Sequence, residues 1–375
     1  MINHQDYMQL ALDQARLAWG IAKPNPAVGC VLVRDGVVVG QGHTQEAGGP
    51  HAEVMAIKDA GQQAQGATAF VTLEPCSHFG RTPPCSQGLI AAGISTLVYG
   101  CQDPNPQVAG QGLQQLLAAG IDVIGPVLEA QCQALNPGFM HCMTTGKPYV
   151  FSKLACSLDG RTAMASGESQ WITGPAARAQ VHLLRAQSCA VVTGLGSMLA
   201  DNPSMNSRPA ELLAAGVPAE QVARIKQPLR VIIDAPLHTP LDAKLFTLPG
   251  PVLLLTTNSD TDAHAAYENK GVQVQVVATQ TSGPKAGKIQ LQAAIDVLAQ
   301  RGCQQIMLEA GASLNASFMR EGLLNNLQVF VAPKFLGCTG LPLFNQVHEK
   351  LADAWQGHFQ QFQQVGDDLL LSVDL

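Results

Sequence analysis

Within residues 6–19, apolar groups recur at Tyr7, Leu10, Ala11, Ala15 and Ala18, the spacing of one helix face, so the chain is expected to open with an amphipathic helix. Two apolar runs follow, Val28–Arg34 and Val37–Gly42. They read as strands, and Asp35-Gly36 between them suits a tight hairpin turn. His51–Ala60 is helical in pattern, Ala69–Leu73 and Thr96–Gly100 read as buried strands, and Ser86–Ala92 and Gly112–Ala118 as helices. A strand at Asp122–Gly125 completes an alternating α/β series.

The segment Glu129–Pro148 carries Asn136-Pro137-Gly138 and Gly146-Lys147-Pro148, which read as turn and linker chemistry. The boundary is therefore expected near residue 146, giving domains 1–146 and 147–375. A second α/β alternation follows. Strands are expected at Tyr149–Leu154, Ala190–Thr193, Arg230–Ile233, Val252–Thr256, Val272–Val277, Gln305–Glu309 and Asn326–Val331. Helices are expected near Ala176–Ala186, Leu291–Arg301 and Ser313–Glu321. Residues 208–227, rich in Ala and Pro, read as a loop or short helix, and no fixed-period repeat stands out.

Length agrees with this division, since 375 residues exceed what one domain usually needs. Lys and Arg number 22 against 28 Asp and Glu, a net charge of −6 with no basic stripe for a nucleic-acid backbone, so a small-molecule substrate is the expectation. The first residues lack a basic start and an apolar signal core. Apolar stretches such as Val252–Leu255 and Ile306–Leu308 fall far short of the roughly 20 residues of a membrane span. A soluble, cytoplasmic protein without a membrane partner is expected, with its ten cysteines reduced and free for metal ligation.

The chemistry concentrates at His51-Ala52-Glu53, Pro75-Cys76 and Pro84-Cys85, the order of the zinc-deaminase signature H-x-E…P-C-x-x-C but with eight residues between the cysteines instead of two. Both thiolates can serve one ion only if residues 77–84 fold back. Cys85 then begins a helix, where the dipole favours a thiolate. One imidazole and two thiolates leave the open fourth position of a catalytic zinc, whose water is acidified to a pKa of about 7. Glu53, two residues from His51, is better placed to carry protons from water to leaving ammonia than to ligate. The competing readings are a structural zinc knuckle using His78 or His43 as fourth ligand, and a pair of buried core thiols. Neither gives Glu53 a task.

Taken together, Lys23-Pro-Asn-Pro-Ala-Val-Gly29, Gly42-His-Thr44, His51-Ala-Glu53 and Cys76-Ser-His-Phe-Gly-Arg-Thr-Pro-Pro-Cys85 closely resemble the N-terminal half of the bifunctional riboflavin-biosynthesis deaminase/reductase family, in which the long cysteine gap is normal. Lys153-Leu-Ala-Cys-Ser-Leu-Asp-Gly-Arg161, Ser169-Gln-Trp-Ile-Thr173, Thr193-Gly-Leu-Gly-Ser197 and Glu309-Ala-Gly311 resemble its reductase half, so the likeness covers nearly the whole chain. Met55 stands where the family often has Asn, and Lys147 replaces a common Arg before Pro148. Neither carries a proposed catalytic role.

The resemblance implies a cytidine-deaminase-like three-layer domain followed by a dihydrofolate-reductase-like α/β domain, commonly assembled as homodimers or tetramers. It implies zinc-dependent deamination of a diaminopyrimidinone ribosylamino phosphate, then NADPH reduction of the ribose to a ribityl chain. It places Asn25, His43, His78 and Arg81 in the deaminase pocket. Arg81 suits a phosphate best, because guanidinium pairs with phosphate through two parallel hydrogen bonds. Read without the resemblance, Asn25 is equally a turn residue between prolines, His43 a strand end, and Arg81 a solvated loop residue.

Gly194-Leu-Gly196 lacks the third glycine of a dinucleotide fingerprint and is weak evidence alone. The strand-to-helix run Ile306–Asn315 offers free N–H groups to a pyrophosphate, or is an ordinary turn. With the resemblance, cofactor contacts are expected at Gly311, Ala312, Ser313, Leu314, Asn315, Ala316 and Ser317, together with Ala155, Trp171, Ser197 and Asp201. Thr256 and Thr257 could meet a 2′-phosphate. Lys153, Ser169, Met205 and Glu309 are expected against the substrate, with Arg185 and Arg208 toward its phosphate. Lys153 would polarise the sugar oxygen or, alternatively, form an ordinary ion pair. The rival function is a single-activity nucleic-acid base deaminase with an RNA-binding second domain. It calls for a basic, aromatic face, which an acidic chain with 5% aromatic residues does not offer. A non-enzymatic zinc scaffold is a further rival, and would release no ammonia.

Overall fold

The structure is a computed structural model that describes residues 3–77, 83–106, 108–281 and 286–375. Its contacts divide the chain into two compact units. One holds residues 1–147 with 223–225, the other 148–222 with 226–375.

In the first unit the expected hairpin forms from Gly29–Arg34 and Val37–His43, with the tight turn at Asp35-Gly36. The five-stranded sheet runs in the order Val37–His43, Gly29–Arg34, Thr68–Leu73, Thr96–Cys101, Asp122–Ile124. The two pairings among the first three strands are antiparallel and the two among the last three are parallel. Thr68–Leu73 is almost wholly buried, which is why it reads as an unbroken apolar run. The opening helix is His4–Arg16, capped by the Asn3 side chain, and buries Met8, Ala11, Leu12 and Ala15. Helix Ala52–Ala60 lies so close to the hairpin that a Cβ on Gly42 would sit 2.4 Å from the Ala52 carbonyl oxygen. Glycine is therefore required where the strand meets the helix start that carries His51 and Glu53.

The segment Glu129–Pro148 departs from the linker reading. It forms two helices, Glu129–Ala134 and Pro137–Thr145. Asn136 between them is no free turn residue: its Oδ1 accepts the Ala27 N–H at 2.7 Å and its Nδ2 donates to the Ala27 carbonyl at 2.9 Å. A side chain that reproduces a strand-like pairing over 109 residues leaves no local pattern to read.

The second unit is built on a nine-stranded sheet ordered Gln273–Val276, Val252–Thr256, Leu229–Ile233, Ala190–Gly194, Gln305–Leu308, Tyr149–Ser157, Asn326–Ala332, Asp368–Asp374, His358–Val365. All pairs are parallel except the two that involve the closing hairpin. That hairpin was not foreseen, for a physical reason. Edge strand His358–Val365 is exposed along nearly its whole length and Gln-rich, so it carries no burial periodicity. Residues 208–227 contain the short helices Pro209–Ala214 and Ala219–Val222. The helices Pro175–Gln187, Leu291–Gln300 and Ala312–Arg320 stand where the apolar spacing placed them.

Two candidate active sites

In the first unit, His51 is the N-cap of helix Ala52–Ala60. Its backbone is extended (φ −78°, ψ 169°), and its side chain makes no capping bond to the helix. Nδ1 lies 3.2 Å from Cys85 Sγ and 3.7 Å from Cys76 Sγ. The wide cysteine spacing closes as the chemistry required. Cys85 opens helix Cys85–Ala91, its N–H donates to Cys76 Sγ at 3.4 Å, and the Ser86 N–H donates to the Cys76 carbonyl at 3.2 Å. Both ends of the intervening loop are thus pinned at one helix start.

The three ligand atoms lie within 4.8 Å of one another, and among the described residues no fourth His, Cys, Asp or Glu joins the cluster. Cys76 is held below the usual thiol range because Cys85 donates to its sulfur. Burial opposes this, while the His51 ring and the Cys85 amide add to it. Cys85 keeps its proton, because it shares it with Cys76 and is buried. Two sulfurs and a ring nitrogen competing for protons in so small a space form a donor set that a soft divalent cation such as zinc satisfies, with a coordination position to spare.

Glu53 sits in the first turn of the same helix, buried, in side-chain hydrogen-bond contact with Cys85. Burial raises its pKa, and the charge on Cys76 raises it further. A carboxyl whose pKa is raised in this way is a stronger base than a solvated one, and so is better matched to taking a proton from water and passing it on.

Behind the cluster stands a group that the sequence reading did not single out. Glu74, buried one residue before Pro75-Cys76, accepts N–H bonds from Asp103 (3.3 Å), Gly110 (3.0 Å) and Gly112 (3.1 Å). Gly112 lies against the Pro75 carbonyl, where a Cβ would meet the oxygen at 2.0 Å. The Glu74 side chain therefore draws the main chain at Asp103, Gly110 and Gly112 onto the turn that presents Cys76. Its signal was an acid inside an apolar strand end.

Of the other residues expected here, half-buried Asn25 closes a turn by donating its N–H to the Ala22 carbonyl at 3.0 Å. Half-buried His43 ends its strand opposite Gly29, and burial together with the Arg224 cation lowers its pKa. His78 and Arg81 lie outside the described residues.

In the second unit, Glu309 follows strand Gln305–Leu308 and meets Arg185 of helix Pro175–Gln187. Arg185 Nε lies 2.6 Å from Oε1 and Nη2 lies 2.7 Å from Oε2. Its remaining arm, Nη1, donates to the Asn206 carbonyl at 3.1 Å. The guanidinium expected at the substrate phosphate is thus shared between a carboxylate and a loop in this structure. Lys153, on strand Tyr149–Ser157, has its pKa lowered by burial, with Arg185 lowering it further and Glu309 opposing. Glu309 titrates below the ordinary carboxylate range. Burial works against this, and Arg185 with Lys153 outweighs it.

Met205 is buried with a φ of 53°, Arg208 is exposed and caps helix Pro209–Ala214, and Ser169 accepts the Ile172 N–H at 3.2 Å. His182, one helical turn before Arg185, is buried. Its pKa is pushed down to about 4 by burial and by the Arg185 and Arg208 cations.

Helix Ala312–Arg320 starts at Gly311 with no side-chain cap. Its first intrahelical bond is Asn315 N–H to the Gly311 carbonyl, so the N–H groups of Ala312, Ser313 and Leu314 precede the ladder and are placed for an anion. Helix Leu195–Asp201 starts alongside, at Gly194. A Cβ on Gly194 would lie 3.1 Å from Leu314 Cδ2, and one on Gly311 would lie 4.0 Å from Ser197 Oγ. Two helix starts at the C-terminal ends of adjacent parallel strands are where an open α/β sheet binds its ligand.

The expected cofactor run narrows at its far end. Asn315 and Ala316 have no exposed surface. Asn315 accepts the Ser152 hydroxyl at 2.6 Å and donates to the Ala310 carbonyl at 2.6 Å, so its side chain holds the turn. Ser317 Oγ donates back to the Ser313 carbonyl at 3.0 Å. Asp201 is exposed at the end of its helix, and Ala155 lies in register with Phe330. Trp171 is 62% exposed, with the Arg178 guanidinium 4.8 Å from its ring centre and Lys334 Nζ 2.7 Å from its carbonyl. The suggestion that Thr256 and Thr257 meet a 2′-phosphate does not hold. Thr256 is fully buried, and both hydroxyls donate to the Ala235 carbonyl, at 2.8 and 3.0 Å.

Both halves of the chain are similar to known proteins. Residues 1–101 match the cytidine and deoxycytidylate deaminase zinc-binding region, and residues 148–371 match the RibD C-terminal domain. The chain is 43% identical over 368 residues to riboflavin biosynthesis protein RibD of Escherichia coli, covering 98% of each chain. It is similar to the solved structure of Acinetobacter baumannii RibD at 40% identity and a TM-score of 0.85, covering 99% of this chain and 98% of that one. A diaminohydroxyphosphoribosylaminopyrimidine deaminase/5-amino-6-(5-phosphoribosylamino)uracil reductase from Thermotoga maritima superposes with a TM-score of 0.82 at 29% identity, over 99% and 98% of the two chains. No helix among the described residues is long and apolar enough to cross a membrane.

Proposed function

The chain belongs to the RibD family of riboflavin-biosynthesis deaminase/reductases, and from that premise we propose how its two sites divide the work. It is a bifunctional enzyme that uses zinc and NADPH, with a cytidine-deaminase-like domain before a reductase domain. The reading of a single-activity nucleic-acid deaminase is not favoured, because residues 148–371 match the RibD C-terminal domain.

We assign deamination of 2,5-diamino-6-(5-phosphoribosylamino)pyrimidin-4(3H)-one to residues 1–146. His51, Cys76 and Cys85 would hold the zinc, which when bound supplies an acidified water for attack on the amino-bearing ring carbon. Glu53, buried and in contact with Cys85, takes the proton from that water and delivers it to the departing ammonia. Asn25 and His43, with His78 and Arg81, are assigned to the pyrimidine and its phosphate.

Reduction of the ribosyl group to ribityl is assigned to residues 147–375, giving 5-amino-6-(5-phosphoribitylamino)uracil. Bound NADPH supplies the hydride, and the helix starts at Leu195 and Ala312 would hold its phosphates. Ala155, Trp171, Ser197, Asp201 and the run from Gly311 to Leu314 line the cofactor. Lys153 donates to the sugar oxygen that becomes a hydroxyl as the ring opens, Glu309 orients Lys153 and Arg185, and Ser169 and Met205 complete the substrate wall. Arg208, whose exposed guanidinium has no acidic partner among the described ion pairs, takes the substrate phosphate.

The observation that carries this reading is the three-ligand cluster with Glu53 against it, in a chain whose second unit matches a reductase. The test is incubation with the diaminopyrimidinone phosphate while following ammonia release and NADPH loss separately. Both are expected. Ammonia without NADPH consumption would remove the second assignment and leave the first.

We further place the enzyme in the cytoplasm as a homodimer or tetramer. The exposed edge strand His358–Val365, with Phe359 73% and Phe362 77% accessible, supports assembly, since such aromatic edges are usually covered. Light scattering on the purified chain checks it.

A further inference from the structure

The segment 205–208 carries two of the residues assigned to the reductase substrate, yet it belongs to no strand and only its last residue touches a helix. What holds it is a set of polar contacts on its main chain. Arg185 Nη1 donates to the Asn206 carbonyl at 3.1 Å. Gln227 clamps Ser207 from both sides, Oε1 accepting its N–H at 2.9 Å and Nε2 donating to its carbonyl at 2.8 Å. His182 contributes twice: its ring Nδ1 accepts the Arg208 N–H at 3.2 Å, and its carbonyl accepts the Ser207 hydroxyl at 3.3 Å.

We propose that His182 is a positioning residue of the reductase, which fixes the main chain of Ser207 and Arg208 so that the Arg208 guanidinium stands ready for the substrate phosphate. This rests on the assignment of Arg208 to that phosphate. The His182 ring reaches only main chain in the described contacts, and it is buried, so it acts through Arg208. Its neutrality is built in. Burial and the neighbouring Arg185 and Arg208 cations disfavour a charged ring, which leaves Nδ1 as an acceptor with its proton on Nε2. A fixed arginine loses less conformational freedom when the phosphate arrives, so the effect belongs in substrate binding more than in hydride transfer.

The reductase is measured with its phosphorylated substrate and with the dephosphorylated counterpart, in the full chain, for His182→Leu, His182→Asn, Arg208→Ala and the His182→Leu/Arg208→Ala double variant. His182→Leu is expected to raise KM for the phosphorylated substrate about tenfold, the scale of one lost hydrogen bond that leaves its partner unpaired, with kcat within about twofold. His182→Asn, whose Oδ1 can accept the same N–H, is expected to stay within about threefold. Arg208→Ala raises the same KM, and adding His182→Leu to it changes little, because both act on one contact. The dephosphorylated substrate is expected to be indifferent to all four changes. Deaminase turnover and NADPH affinity in the same preparations confirm an intact protein.

An unchanged KM in His182→Leu overturns the proposal, as does an equal loss on both substrates, failure of Asn to rescue, or full additivity with Arg208→Ala. If Arg208→Ala leaves KM unchanged, the phosphate assignment falls, and the inference with it.

Discussion

Arg185 grips Glu309 through two parallel hydrogen bonds, Nε to Oε1 at 2.6 Å and Nη2 to Oε2 at 2.7 Å, with only 13% and 14% of the two side chains exposed. Breaking a buried pair from one side leaves an uncompensated charge and costs about 3–5 kcal/mol, while replacing both partners by apolar groups is often neutral. Glu309→Leu is therefore expected to destabilise the second unit by about 3 kcal/mol. Adding Arg185→Leu should restore most of that stability without restoring reduction. Denaturant unfolding alongside NADPH turnover separates the two effects.

The same pair sets an acid limit. The folded pKa of Glu309 is lowered below its ordinary value, against burial and through Arg185, so its stabilising contribution is complete above the unfolded carboxylate range of about 4.3. It is lost as pH falls through the lower folded value. Acid unfolding of the second unit is expected to begin below about pH 4. In Arg185→Met, which removes the lowering partner, it should begin at higher pH. A coincident acid limb in the two proteins, followed by tryptophan fluorescence, would count against this origin.

Lys153 bears the opposite kind of limit. Burial, aided by Arg185, lowers its pKa from the ordinary 10.5 despite Glu309. If the ammonium form donates to the sugar oxygen, reductase kcat/KM falls as pH rises through a value below 10.5, while deaminase turnover does not share that limb. Lys153→Met should abolish the limb and slow reduction. Hydride transfer gains mainly from positioning, so Lys153→Ala is expected to cost less than Glu53→Gln costs deamination. Single-turnover rates of the two steps decide the order.

Much of this was legible in the sequence because burial writes itself as pattern. Strands such as Val252–Thr256, buried at every position, read as apolar runs, and the Gly311 turn into its helix was visible as small residues after a strand. The His51, Cys76 and Cys85 set was legible from ligand type and order, including the need for the loop to fold back. What stayed illegible depends on side chains bonding to distant main chain. The Asn136 pairing with Ala27, the Gln227 clamp on Ser207 and the Glu74 grip on Gly110 and Gly112 have no periodic signal. The bonds of the Asn315 side chain to Ser152 and to the Ala310 carbonyl are of the same kind.

Glu53→Gln keeps the size of the side chain and removes its ability to carry a proton. Ammonia release is expected to fall by a factor of about 10² to 10⁴, with stoichiometric zinc retained and the reductase step unaffected. Cys76→Ser should instead reduce bound zinc. Chelation of the wild-type chain should stop ammonia release and lower the stability of the first unit, since a metal that binds only the folded state stabilises it. Metal analysis beside the two activity assays distinguishes them. Loss of zinc in Glu53→Gln would make Glu53 a ligand and not the proton carrier.

Gly112→Ala tests whether the zinc site depends on the ground beneath it. A methyl group there would lie 2.0 Å from the Pro75 carbonyl oxygen, and the obstacle is main chain, which cannot swing aside as a flexible side chain would. Either the main chain at Gly110 and Gly112 lifts away from Glu74, leaving that buried side chain without some of its three N–H donors, or the Pro75-Cys76 turn shifts. Overpacking of this kind costs about 1–3 kcal/mol. The first response would lower the melting temperature with zinc affinity kept, whereas the second would move Cys76 off the position that His51 and Cys85 define and weaken zinc binding. Three N–H bonds to Glu74 resist the first, while the second is resisted by two longer contacts on Cys76, from the Cys85 N–H at 3.4 Å and the Ser86 N–H at 3.2 Å. Gly112→Ala is therefore expected to lose zinc affinity and ammonia release by at least about tenfold while NADPH-dependent reduction is unchanged. A variant that keeps zinc and deamination would show that the Pro75 turn is held by its other contacts and that Gly112 serves packing alone.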